Sequence, residues 1–525
     1  MKTPAIMVLG TGSHVGKSLL TAAFCRLFRQ SGHRVAPFKS QNMSLNSAAT
    51  IEGLEIGRAQ ALQAQAAGLP PSVHMNPILI KPSGEASSQI VVRGKIWKNL
   101  SASDYHLHRV EQLMPIVEES YRVLASSYEV VILEGAGSPA EINLKEHDIA
   151  NMRMAELADA ACILVGDIDR GGVFASLFGT LELLDPSERA RIRGFVINKF
   201  RGDLNLLLPG IQQMERRIGK PCLGVVPYLH DLALDEEDSV GLDARKIPAW
   251  TRDTSPARPM RIAVIAAPSL ANFTDFDALM REASVSLKLC RMPDDLLVAD
   301  IVILPGSKET VQDLKWLRAK GFDGALLRYA KRGGLTVGIC GGLQMLGYEI
   351  SDPDGIEAAG STRGLGLLAI QTRMRPEKIT VNASGRMLAL QLFGQPVNSE
   401  VIRGYEIHVG ETSYLDKSHP FAILDRAKES GCSVEDGCVS EDQRTFGTYL
   451  HGIFDDDGFR HAFLQAARAH LHLAPAENLS CQSGRKQQDI DRLAQAVGQA
   501  LDMKSIFNWI GFTYHEALEN KANRS

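Results

Sequence analysis

Short runs of consecutive apolar residues recur through the first 235 positions, at 5–9, 129–133, 161–166, 194–198 and 222–226, and stretches of helical spacing separate them. Strands apolar on both faces that alternate with helices predict a parallel sheet covered by helices on both sides. The pattern lapses at Asp235-Glu236-Glu237-Asp238, and Pro248, Pro256 and Pro259 follow, so 236–258 is read as a linker. A second series begins at Arg261-Ile262-Ala263-Val264-Ile265 and continues through Ile301-Val302-Ile303-Leu304 and Leu335-Thr336-Val337-Gly338-Ile339. The expectation is a two-domain α/β protein, with domains at 1–235 and 259–470. Beyond 470, Ile490, Leu493, Ala494, Val497, Ala500 and Leu501 have helical spacing, which predicts a helical C-terminal tail over 471–525 that frays at Asn520–Ser525.

At 525 residues the chain is too long for one growing core, in agreement with two domains. Hydrophobic residues make up 45% and charged residues 22%, with no apolar stretch long enough for a membrane span. Lys and Arg number 57 against 61 Asp and Glu, a net charge of -4, which offers no basic field for nucleic acid. The N-terminal apolar run leads straight into a glycine loop, so it reads as a strand rather than an export signal, and a cytoplasmic location is expected. The eight cysteines show no metal-hook spacing. Nothing in the sequence speaks to oligomeric state.

Two segments carry chemistry. The first is Gly10-Thr11-Gly12-Ser13-His14-Val15-Gly16-Lys17-Ser18, which follows a strand and precedes the helical pattern Leu19, Leu20, Ala23, Phe24, Leu27 and Phe28. It is one residue longer than the usual phosphate-binding loop. Even so, the amides of Gly12 to Ser18 can face phosphates, Lys17 can bridge the outer ones and the Ser18 hydroxyl can ligate Mg²⁺. Glu134, at the end of Val130-Val131-Ile132-Leu133, is the expected second Mg²⁺ ligand, with Glu55 as a weaker candidate. Asn198 ends another strand where it can read the nucleotide base. Lys39 can neutralise a transferred phosphoryl group. Gln41, Asn42, Ser44 and Asn46, with Asp169 and Arg170, lie on the strand ends where ligands bind in such folds and are candidates for holding an acidic substrate.

The second segment is Cys340-Gly341-Gly342 after an apolar strand and before a helical pattern, a turn that displays a thiol. Backbone N–H groups of Gly341 and Gly306 can form an oxyanion hole, and His451 is the expected base. Phosphate chemistry and a thiol reaction in one chain point to an enzyme that activates an acid with ATP and takes nitrogen from glutamine. A phosphate-loop scaffold with an inactive thiol domain is the bland competitor.

The segments Gly338-Ile339-Cys340-Gly341-Gly342-Leu343-Gln344, Leu304-Pro305-Gly306-Ser307-Lys308 and Leu450-His451-Gly452 resemble the class I glutamine amidotransferase domain of the cobyrinic and cobyric acid synthase group. The N-terminal half resembles that group's dethiobiotin synthetase-like ATPase domain. Phe38-Lys39, Gln41 to Asn46, Met75-Asn76-Pro77, Glu134 to Pro139, Asp169 to Phe174 and Asn198 to Gly202 are similar to the cobyric acid synthase branch. The resemblance implies ATP- and glutamine-dependent amidation of the b, d, e and g carboxylates of a corrinoid, adenosylcobyrinic acid a,c-diamide, with a,c-diamide synthesis as the alternative. It also implies that Gln344 contacts bound glutamine. One departure bears on mechanism: His451-Gly452-Ile453 stands where ordinary class I enzymes read His-Pro-Glu, so another group, a backbone carbonyl, or nothing orients the base.

Overall fold

The computed structural model describes residues 2–83, 87–230, 232, 234, 250, 255–397, 401–416, 418–427 and 433–514; most of the expected linker and the terminal Asn520–Ser525 lie outside them. The first unit is built on a six-stranded parallel sheet. Its strands run from edge to edge in the order Cys222–Pro227, Ile192–Phe200, Ala161–Asp167, Ala5–Gly10, Val130–Glu134 and Val35–Phe38. Each apolar run predicted from sequence is a strand, and the central ones are buried along their whole length because helices cover both faces. The helix Lys17–Gln30 starts directly after the phosphate loop. Gly16 precedes it at φ 99°, and a Cβ there would lie 2.2 Å from Asn198 Nδ2, so only glycine fits.

The second unit holds another six-stranded sheet, ordered Val285–Cys290, Met260–Ile265, Ile301–Leu304, Leu335–Ile339, Thr445–Thr448 and Cys438–Val439. All its pairings are parallel except the last. Beside it lies a mostly antiparallel sheet centred on the long strands Ile370–Met387 and Ile402–Tyr414, which the sequence pattern did not announce. Burial alternates over parts of these strands, but Tyr405 to His408 are buried on both faces. This sheet positions a functional residue, because Tyr405 is paired with His451 across it.

The segment expected as a tail folds back. Helix Gln482–Ala500 packs on the first unit, where Ile490, Leu493, Ala494 and Val497 join Leu20, Ala23, Phe24 and Leu27 in one core cluster. Phe507, from the following helix Met503–Trp509, stacks on Phe28 at 4.1 Å between centroids. Each such large apolar side chain contributes about 1.5–3 kcal/mol when fully buried. These two helices thus complete the first domain.

The two units meet along residues 46–55. Asn382 Nδ2 donates to Thr50 O at 3.1 Å, Phe273 N–H donates to Asn46 Oδ1 at 3.1 Å, and Ser47 N–H donates to Asn272 Oδ1 at 2.9 Å. Ala49 packs with Tyr405 and Ile407.

Candidate active site

Cys340 lies between strand Leu335–Ile339 and helix Gly341–Leu346 with φ 50° and ψ −108°. A non-glycine residue so placed carries strain of about 1–3 kcal/mol, which the surrounding packing must hold. The two glycines after it are required. A Cβ on Gly342 would lie 2.0 Å from Leu304 O, and one on Gly341 would lie 2.9 Å from Ser307 N. The Pro305-Gly306-Ser307 loop therefore passes directly over the thiol turn. Gly306 itself adjoins the base, since a Cβ there would lie 2.9 Å from His451 Cε1.

His451 is buried, and the nearby Cys340 acts on its charge. Its Nδ1 lies 2.7 Å from Asp275 Oδ2, while Gly452 N–H donates to Asp275 Oδ1 at 2.9 Å. Asp275 is the orienting acid that the local sequence at His451 lacks. Burial disfavours the charged ring, but the Asp275 carboxylate and Cys340 outweigh it and hold the pKa up to about 10. The result is a carboxylate bound to the imidazole, with the thiol close enough to act on its charge. Sequence reasoning missed Asp275; its only local signal is an acid in the turn after strand Met260–Ile265, at the sheet edge where Cys340 also lies. Asn272 was missed too, and its Nδ2 lies 3.3 Å from His451 Nε2.

Next to the thiol, Cys340 Sγ contacts Ile407 O at 3.6 Å, and Glu406 and His408 on either side line a cavity of about 520 Å³ with Gly410, Arg426, Asp436 and Tyr449. Arg426 holds Glu406 through bonds of 2.7 and 2.9 Å. Although burial raises the Glu406 pKa, His408 and Arg426 bring it down to about 2. Burial pushes Asp436 up to about 7. Gln344, expected to touch glutamine, has its amide engaged within the protein: Nε2 donates to Val409 O at 3.0 Å and to the Tyr449 hydroxyl oxygen at 3.1 Å, and Oε1 accepts from the Thr310 hydroxyl at 3.2 Å. It shapes the cavity wall through Tyr449.

In the first unit, Glu134 is buried and collects three partners. Ser18 Oγ donates to Oε1 at 2.7 Å, Lys39 Nζ to the same oxygen at 2.9 Å, and Gln63 Nε2 to Oε2 at 2.5 Å. Lys17 Nζ donates to the carbonyls of Gly12 and Gly137 at 2.8 and 2.9 Å. A hydroxyl and a carboxylate oxygen in contact at the head of a phosphate loop fit Mg²⁺, which takes one or two protein oxygens and completes its shell with phosphates and water. Among the described residues no group of three or more His, Cys, Asp or Glu forms a metal cage.

The other candidates divide. Asn198 Nδ2 donates to Val15 O at 2.8 Å, and the neighbouring Lys199 donates to His14 O at 2.6 Å and Asp167 Oδ2 at 2.8 Å, so the pair braces the loop. Glu55 is not available to a metal beside Glu134. It is buried between Lys81 and Lys378, each at 2.5 Å, and its two ammonium partners hold its carboxyl far below the usual range against the opposing effect of burial. Asn42, Ser44 and Asn46 are buried and bonded within the protein, Asn42 to Gln60 at 3.0 Å. Gln41, which accepts from Tyr105 at 2.6 Å, lines a cavity of about 1640 Å³ together with Met43, Ser13 and Gly137. Asp169 pairs with Arg201 at 3.1 Å, and Arg170 lies 3.9 Å from Asp167.

Residues 6–240 match the model of the CobQ/CobB/MinD/ParA nucleotide binding domain, and residues 261–459 match the CobB/CobQ-like glutamine amidotransferase domain. The chain is 46% identical over 504 residues to a cobyric acid synthase from Thermoanaerobacter sp. (strain X514), covering 96% of this chain and 98% of that one. It is 47% identical over 500 residues to the enzyme of the same name from Moorella thermoacetica, covering 95% and 96%. A third relative so named, from Salmonella dublin, is 47% identical over 510 residues, covering 96% and 98%. With both domain models matched and relatives aligned nearly end to end, the chain belongs to the cobyric acid synthase family of glutamine-hydrolysing ligases.

Proposed function

We propose that the protein catalyses the ATP- and glutamine-dependent amidation of the b, d, e and g side-chain carboxylates of adenosylcobyrinic acid a,c-diamide, through acyl phosphates, in cobalamin synthesis. The observation that carries this reading is the presence of two complete sites in one chain: the Cys340, His451 and Asp275 series, and the Lys17, Ser18, Lys39 and Glu134 cluster.

At the first site the Cys340 thiolate attacks the side-chain amide carbon of glutamine, and the oxygen takes negative charge facing the N–H groups of Gly306 and Gly341. His451, held by Asp275, gives its Nε2 proton to the departing nitrogen, the C–N bond breaks, and ammonia leaves a thioester on Cys340. Water then attacks the thioester while His451 takes its proton, which releases glutamate. At the second site a substrate carboxylate oxygen attacks the γ-phosphorus of ATP, ADP departs, and ammonia displaces phosphate from the acyl phosphate to give the amide. Lys17 and Lys39 balance the phosphate charge. Ser18 and Glu134 would hold Mg²⁺, which supplies further neutralisation when bound. The cavity of about 1640 Å³ beside Ser13 and Gly137 is wide enough for a large substrate.

Mass spectrometry of corrinoid incubated with ATP and glutamine tests this directly. Four added amides on the a,c-diamide are expected. Two added amides on cobyrinic acid, with none on the a,c-diamide, would instead identify an a,c-diamide synthase, and no amide on either would leave only the scaffold reading.

A further inference from the structure

Asp313 lies in the first turn of helix Thr310–Ala319 and is buried, at 1% exposure. Its carboxylate joins two loops. Oδ2 accepts from the Ser307 hydroxyl at 2.6 Å, and Oδ1 accepts from Ser269 N–H at 3.1 Å. Ser307 follows Gly306, whose N–H is assigned to the oxyanion hole, and Ser269 lies in the loop that runs on through Ala271 to Asp275. The two loops are also stitched to each other, Lys308 N–H donating to Ser269 O and Ala271 N–H to Gly306 O, both at 2.9 Å. On its other side Ser307 meets the thiol turn, since a Cβ on Gly341 would lie 2.9 Å from Ser307 N.

The plainer role for such an acid is to start its helix. Ser307 Oγ accepts from Glu309 N–H at 3.1 Å, and Asp313 N–H donates to Glu309 O at 2.9 Å, as a local turn would have it. Two observations go beyond that role. A helix start needs no bond to Ser269, which comes from a separate loop 44 positions away. Moreover, among the described residues no Lys or Arg pairs with Asp313; burial pushes its pKa up to about 6 against the bonds from Ser307 and Ser269, and Glu309 adds like charge. A buried carboxylate without a cation lowers stability, so stability alone would favour a neutral side chain of the same size. What the carboxylate alone supplies is an acceptor oxygen for each loop and no donor to repel either.

We propose that Asp313 is a positioning residue for the thiol reaction: by accepting from Ser307 and Ser269 together it fixes the Pro305-Gly306-Ser307 loop over the Cys340 turn, and so keeps the Gly306 N–H aimed at the oxygen that gains charge when the thiolate attacks glutamine. A donor of this kind acts only where the charge appears. A loop free to relax therefore loses rate without losing the nucleophile. The base is secured separately, because His451 Nδ1 and Gly452 N–H both hold Asp275. Loss of the Asp313 ties is thus expected to weaken the oxyanion hole and to leave the thiolate and its histidine in place.

The proposal rests on Cys340 being the glutaminase nucleophile, so Cys340→Ser serves as the reference in the test. Full-length protein is assayed for glutamine hydrolysis, and alkylation of the Cys340 peptide by iodoacetamide is followed by mass spectrometry. Alkylation is a displacement at a methylene carbon and needs the thiolate but no oxyanion donor. Asp313→Ala should lower kcat for hydrolysis on the order of a hundredfold with KM for glutamine nearly unchanged, while alkylation keeps its unsubstituted rate. Asp313→Asn must turn an NH₂ toward one of the two donors, and should lower kcat on the order of tenfold without lowering the urea unfolding midpoint. Ser307→Ala removes one tie and leaves the carboxylate its Ser269 bond, and it should lower kcat by a similar factor at unchanged alkylation, so the test does not hinge on Asp313→Ala folding. Hydrolysis kept in Asp313→Asn and Ser307→Ala, or hydrolysis, alkylation and unfolding midpoint falling together in both, would show Asp313 to be merely a helix start. Glutamine hydrolysis surviving in Cys340→Ser would overturn the underlying reading instead.

Discussion

The Asp275 carboxylate lies 2.7 Å from Nδ1 of His451, although 176 positions separate the two in the chain. The acid arrives from the turn after the first strand of the second parallel sheet, and the histidine from a short strand beside Tyr405. The absent glutamate two residues beyond His451 is thus replaced in space rather than in sequence. Asp275→Asn keeps the shape but permits the wrong tautomer and removes the charge that steadies the imidazolium. Glutamine hydrolysis should fall on the order of a thousandfold or more. Steady-state glutaminase assays would check it, and a loss below tenfold would mean another group orients the ring.

The same pair predicts a pH dependence of stability. The His451 pKa is raised in the folded protein to about 10, above an unfolded value near 6.5. A raised basic group contributes stability that is fully present below the unfolded pKa and is lost as pH rises through the folded one. The native protein should therefore lose stability between about pH 6.5 and 10. Asp275→Asn should lose less across that window. Urea unfolding at pH 6, 8 and 10 measures the difference, and parallel pH profiles would contradict the coupling.

Cys340→Ser should abolish glutamine-dependent amidation but leave ammonia as a usable nitrogen source, whereas Lys17→Ala should abolish both. Product analysis with glutamine and with ammonium salt distinguishes the two sites. If the serine variant still used glutamine, Cys340 would not be the nucleophile.

Glu134 sits under Ser18, Lys39 and Gln63 with almost no solvent contact. Glu134→Gln retains hydrogen bonding but removes the charge, and ammonia-dependent amidation should drop on the order of a hundredfold or more. Glu134→Ala removes the carboxylate that Ser18, Lys39 and Gln63 all bind and should in addition lower stability. Amidation unaffected in the glutamine variant would remove Glu134 from the phosphate chemistry.

Glu55 makes a different prediction. One carboxylate serves Lys81 and Lys378, and burial, only partly countered by Glu55, pushes Lys81 down to about 8. Removing the acid as Glu55→Ala leaves two ammonium groups against each other at the domain boundary, and unfolding should become easier by about 3–5 kcal/mol. Because the Glu55 carboxyl is held low, its contribution is present above the unfolded pKa and fades only in strong acid. A thermal or urea midpoint that does not change would argue against a structural role; lost metal dependence with unchanged stability would restore the ligand reading.

Local patterns in the chain determined five of the six strands of the first sheet, three of the six of the second, the phosphate loop, Glu134 at a strand end, and the Cys340 turn. These depend on neighbours in sequence: an apolar run buried on both faces, a glycine whose Cβ would collide, a carboxylate at the end of such a run. Tertiary structure decided the rest. Asp275 and Asn272 are an acid and an amide in an ordinary turn, without periodicity or motif, and only the packing of two sheets brings them to His451. Glu55 reads as a second-choice metal ligand until Lys81 and Lys378 arrive from two different domains. The helix Gln482–Ala500 shows an apolar stripe in sequence, but a stripe states that a face must be covered, not by what. Its partner is Lys17–Gln30, at the opposite end of the chain.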